Sequence, residues 1–138
     1  MEDEVVFNKI SIIERCLKRV REVYSGSPAS LEDFTKQDSI ILNILRACEA
    51  SIDLAMHITA KEQLELPQTS REAFDLLKAN GVINEETAAK LKAMVGFRNI
   101  AVHDDQAIDL DILKQIIEKH LEDFTSYTKQ ILFYRKQA

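Results

Sequence analysis

Apolar side chains recur along this chain at intervals of three and four residues. Val6, Ile10, Ile13, Leu17, Val20 and Tyr24 form one such stripe, which predicts a helix from about residue 4 to residue 24. Lys9, Arg15, Lys18, Arg19 and Arg21 lie off or beside the stripe. Ser25-Gly26-Ser27-Pro28 ends it, because glycine and proline both penalise continuation. A second helix is expected from Thr35, with Thr35 and Asp38 spaced as a capping pair and Ile41, Leu45, Cys48, Ile52, Ala55 and Met56 on its apolar side. The same helix carries a polar line, Arg46, Glu49, Asp53 and His57, whose spacings place all four on one face. Pro67 closes the next connection, and Thr69 with Glu72 opens a short helix through Phe74, Leu76 and Leu77 that Asn80-Gly81 stops. Asn84 caps a fourth helix through Leu91, Met94 and Val95, which is expected to cross Gly96 and end near Val102. An acidic stretch, Asp104, Asp105, Asp109 and Asp111, suits the positive end of a helix dipole. The last helix follows through Leu110, Leu113, Ile117, Leu121, Phe124 and Ile131.

These periods predict an all-α, mostly antiparallel bundle of four to five helices, since the connections are short. No repeat, low-complexity tract or linker divides the chain, so residues 1–138 are expected to form a single domain. With 3 glycines and 2 prolines the sequence lacks the turn residues of an all-β domain, while 46% hydrophobic residues suffice for a real core. The net charge of −5 excludes coating nucleic acid by charge alone but leaves room for a local basic patch. Cys16 and Cys48 sit in helical segments and read as reduced, buried thiols, and no Cys/His spacing suggests a zinc site. No apolar run approaches the ~20 residues that span a bilayer, and the acidic start Met1-Glu2-Asp3-Glu4 is unlike an export signal. A cytoplasmic protein with no membrane attachment is the expectation.

No glycine-rich phosphate loop, nucleophile elbow or metalloprotease sequence occurs, so catalysis would rest on His, Arg and carboxylates. Of the three imidazoles, His57 lies one turn after Asp53, which allows an Asp–His contact across a helix face. His120 stands between Lys119 and Leu121 and reads as surface. His103 ends the run Met94-Val95-Gly96-Phe97-Arg98-Asn99-Ile100-Ala101-Val102-His103. Asn99 and His103 are four apart and stack on one face, and Arg98 is expected on an adjacent part of the same surface. A permanent cation, an amide and a titratable imidazole thus meet in one patch. Gly96 costs up to about 1 kcal/mol against alanine inside a helix, which points to close packing or a ligand there.

Arg98-Asn99-x-x-Val102-His103 resembles the Arg-x4–6-His motif of HEPN-domain ribonucleases. The match is closest to the HepT branch, the toxins of HEPN–minimal nucleotidyltransferase toxin–antitoxin systems. Arg46-Ala47-Cys48-Glu49-Ala50, Pro67-Gln68, Ser70-Arg71 and His120-Leu121-Glu122-Asp123-Phe124 extend the resemblance along most of the chain. It implies a HEPN-like helical bundle that forms a homodimer, with Arg98 and His103 of both copies facing one cleft. It further implies a type VII-like toxin, a metal-independent endoribonuclease without cofactor that cuts tRNA or mRNA. In that reading His103 moves the proton, Arg98 binds the phosphate, and Asn99 and Asp104 support the site or contact RNA. The partner implied is a minimal nucleotidyltransferase antitoxin that silences the toxin by AMPylation of a tyrosine two residues after the histidine. This sequence departs from the family there, because the position holds Asp105, which has no phenol to modify. The alternative expectation is a non-enzymatic HEPN module that binds a nucleotide or a partner protein through the same cleft.

Overall fold

The computed structural model describes residues 3–103 and 108–137 of the chain. Helix α1 covers Glu4–Tyr24, and all six residues of its apolar stripe are buried. Asp3 caps it by accepting from the Val5 and Val6 amides, and Ser25 closes it in the left-handed region at φ +52°. A 3-10 turn, Pro28–Glu32, then leads to α2, Phe34–Lys61. The cap of α2 is Asp33, whose carboxylate accepts from the Lys36 amide, so this helix starts one residue earlier than Thr35.

Helix α3 is Ser70–Ala79, capped by the Thr69 hydroxyl on the Glu72 amide, and Gly81 at φ +74° follows its end. Helix α4, Glu85–His103, begins with the Asn84 side chain accepting from the Thr87 amide and runs unbroken through Gly96. The last rod is α5, Leu110–Gln115, a π-helical turn, Ile116–His120, and α6, Leu121–Gln137.

The expected all-α bundle is what these elements build. Contacts between helix ends fix the directions. Asp3 meets Lys61, and Lys9 meets Asp53, so α1 and α2 run antiparallel. Lys92 on α4 meets Asp75 on α3, and Gln130 on α6 brackets the start of α4 through Asn84 and Thr87. One continuous core runs between the rods, centred on residues such as Ile13, Ile44, Leu54, Phe74, Leu91 and Phe124. Tyr127 lies fully buried, edge-on to Phe74 at 5.7 Å, with its hydroxyl donating to the Ser51 carbonyl at 2.9 Å. Burial pushes its phenol well above the ordinary pKa. Cys16 and Cys48 are both buried free thiols, as their helical setting suggested. No helix among the described residues is long and apolar enough to cross a membrane.

Candidate active site

The last two turns of α4 carry the candidate chemistry. Asn99 and His103 are one turn apart on one side of the helix, with Gly96 on the same face a turn below Asn99. Arg98 emerges elsewhere: five residues correspond to about 140° around the axis from His103. It faces α2, where its Nε donates to the Glu49 carboxylate. A second bond holds the guanidinium: Asn99 Oδ1 accepts from Arg98 Nη1 at 3.0 Å. The structure ties Arg98 to Asn99, whose position on α4 is one turn before His103, while the register of Arg98 itself points it toward α2. Two of the guanidinium's nitrogens are held by the protein, which fixes the plane of the fork. His103 stands exposed at the end of the helix. Asp104 and Asp105 lie outside the described residues.

Glu49 is the partner that spacing did not single out as a site residue. It was legible only as one member of the polar line on α2. Gly96 has one close neighbour. A Cβ at Gly96 would stand 3.0 Å from Nη2 of Arg71, the second residue of α3. The glycine lets a second guanidinium rest against α4 on the face that leads to Asn99 and His103.

The other histidines have structural duties. His57 Nε2 contacts Asp3 Oδ2 at 2.7 Å, and Asp53, the neighbour expected for it, pairs with Lys9 instead. His120 is half-buried, with Nδ1 2.9 Å from the buried Asp123 carboxylate. Cys48 lies beside the site on α2. Its pKa is pushed up to about 12, by burial first and by the charge of Glu49 second, with Arg98 opposing them. It packs there as an inert thiol, donating weakly to the Met94 carbonyl at 3.8 Å.

A family model described as Ribonuclease HepT-like matches residues 13–131. The chain belongs to the HepT-like ribonuclease family. The mRNA nuclease HepT of Shewanella oneidensis is 48% identical over 125 residues, covering 91% of this chain and 94% of that protein. The tRNA nuclease HepT of Aphanizomenon flos-aquae is 26% identical over 138 residues, covering 97% and 92%. Among solved structures, the tri-AMPylated HEPN toxin of Shewanella oneidensis in complex with its MNT antitoxin superposes with a TM-score of 0.90. That match has 47% identity and covers 96% of this chain and 99% of the other. The fold and the extent of the chain are thus those of HepT-like proteins.

Proposed function

We propose that this HepT-like chain is the toxin of a toxin–antitoxin pair, an endoribonuclease that works as one domain in the cytoplasm. The observation that carries this is the end of α4, where Glu49 and Asn99 fix the fork of Arg98 five residues before an exposed His103. The nearer curated relative cuts mRNA and the more distant one tRNA, so mRNA is the substrate we favour. Two buried free thiols suit a reducing compartment, where RNA is found.

RNA supplies its own nucleophile. The 2′-oxygen attacks the adjacent phosphorus, the bond to the 5′-oxygen breaks, and a 2′,3′-cyclic phosphate and a 5′-hydroxyl result. An imidazole, with an ordinary pKa of about 6.5, accepts the 2′-proton, and an imidazolium returns one to the leaving oxygen. Arg98 binds the non-bridging phosphate oxygens and stabilises their growing charge. Two proton transfers on opposite sides of one phosphorus suit two imidazoles. We therefore place the site at a homodimer cleft, where His103 and Arg98 of both copies converge. A minimal nucleotidyltransferase partner silences such a toxin by transferring AMP. Here the acceptor position carries Asp105, which has no phenol to take AMP, so this chain is attenuated as a nuclease or unmodifiable by that partner.

Substituting His103→Ala removes the proton transfer and lowers cleavage of an mRNA substrate by about 10²-fold or more. Arg98→Ala does the same, and both variants keep the helicity of the parent by circular dichroism. Undiminished cleavage by the His103 variant overturns the assignment.

A further inference from the structure

The antiparallel seam between α1 and α2 opens into a groove of about 600 Å³. Three arginines line it, Arg15 and Arg19 from α1 and Arg46 from α2, beside Ser39 and Asn43, and no carboxylate does. That concentration stands out in a chain whose net charge is −5. All three arginines are exposed. Among the described residues, neither Arg15 nor Arg46 has a carboxylate within 4.0 Å, and Arg19 meets only the exposed Glu22 at 3.8 Å. The charges converge: both Arg15 and Arg46 act electrostatically on the Cys16 thiol at the groove floor. The groove also leads somewhere. Arg46 and Leu42 are shared with the adjoining depression along the same seam, which reaches Glu49, the tether of Arg98. From Ser39 to Glu49 the path follows α2 for about 15 Å, long enough for more than one nucleotide.

We infer that this groove is a binding track for the phosphodiester backbone of single-stranded RNA on its way to Arg98. Arg15, Arg19 and Arg46 are the phosphate-contacting side chains. Planar guanidinium forks recognise phosphate bidentately; Arg15 and Arg46 have no ion pair to break, and Arg19 gives up only its exposed contact with Glu22. The track answers how an acidic protein holds a polyanion: its overall charge is negative, but along this seam Arg15, Arg19, Arg46 and Lys9 outnumber the carboxylates Glu49 and Asp53, which are themselves paired with Arg98 and Lys9. The inference rests on the ribonuclease reading above.

The test is a triple variant, Arg15→Gln, Arg19→Gln and Arg46→Gln, made on the His103→Ala background so that bound RNA stays intact. Affinity for a single-stranded RNA oligonucleotide is read by fluorescence anisotropy across a salt series. The expected result is binding weakened by about an order of magnitude or more at low salt. The slope of log affinity against log salt becomes shallower by about 2, since three phosphate contacts on a single strand contribute about 0.7 each. The corresponding triple lysine variant keeps the charge and the slope. Unchanged affinity and slope in the glutamine variant overturn the track. So does a loss confined to association with the nucleotidyltransferase, or a changed oligomeric state in sedimentation with RNA affinity intact. With an oligonucleotide whose 2′-oxygens are methylated, which removes the nucleophile, the same series is read without cleavage by any variant, so a His103 variant that still cuts ordinary RNA overturns the catalytic reading and leaves this result standing.

Discussion

Asp3 holds two structures together, and removing its charge separates them. Its side chain is 7% exposed and accepts from the first amides of α1 while contacting Lys61 Nζ at 2.8 Å and His57 Nε2 at 2.7 Å on α2. Burial works against the charged carboxyl, but the bonds from Lys61, His57 and the Val6 amide outweigh it and hold its pKa well below the usual carboxylate range. Asparagine keeps the helix cap and loses the charge; alanine loses both. A cap is worth about 1 kcal/mol. The charge-assisted bonds would each be worth more than that if fully buried, but Lys61 is 47% exposed and His57 28%, so together they contribute only about 1 kcal/mol. Unfolding entropy for 138 residues is about 0.3 kcal/mol/K, so Asp3→Asn lowers Tm by about 3 °C and Asp3→Ala by about 7 °C. Both are measured by circular dichroism at one protein concentration, since a dimer's Tm depends on it. A carboxyl with a lowered folded pKa stabilises the fold fully above its unfolded pKa of about 3.9 and loses that contribution as pH falls below it. The part of the gap between the parent and the asparagine variant that comes from the Asp3 charge is therefore lost as pH falls below about 4. Equal melting of parent and Asp3→Asn at neutral pH refutes the clamp, and a gap that widens as pH falls below about 4 refutes the sign.

Glu49→Ala frees the fork of Arg98 and lowers kcat by about tenfold, while Glu49→Gln, which still accepts a hydrogen bond, retains most of it. The Tm of either variant shifts by only about 3 °C or less, because the pair is 30% and 46% exposed, so steady-state kinetics and melting together distinguish positioning from mere stability. Asp105→Tyr restores a phenol at the acceptor position, and mass spectrometry after incubation with ATP and the nucleotidyltransferase then shows a gain of one or more AMP units. An equal gain by the Asp105 chain places the acceptor elsewhere. Tyr127→Phe removes the buried hydroxyl from the Ser51 carbonyl and costs about 1 kcal/mol, read as a Tm lower by about 3 °C with RNA cleavage unchanged.

Periodicity served best where one helix buries one stripe. The α1 pattern named six residues, and all six are in the core. It served less well at helix starts, where Asp33, Thr35 and Asp38 all have capping chemistry and only the backbone decides that Asp33 caps. The π turn at Ile116–His120 escaped notice for a related reason. Leu113, Ile117 and Leu121 repeat every four residues, which drifts around an α-helix by about 40° at each step. A wider turn takes up that drift and keeps Leu113, Ile117 and Leu121 on the core side.

The site divides along the same physical line. Arg98, Asn99 and His103 lie within six residues of one another, so their grouping on α4 is a local fact that spacing can express. Their partners are not local. Glu49 is 49 residues from Arg98, and Asp3 is 54 from His57, so a rule that weighs neighbours one turn away chose Asp53 for His57 and nothing for Arg98. Lys9 on α1 had already engaged Asp53, an outcome decided by the antiparallel register of two helices. Gly96 stands between these cases. Its cost within a helix marked it as an anomaly in the sequence, but only the packing of α3 on α4 shows that the missing side chain makes room for Arg71. The tertiary fold shows the neighbour of Gly96 to be the end of an exposed arginine side chain, beside a helix face already bearing an amide and an imidazole.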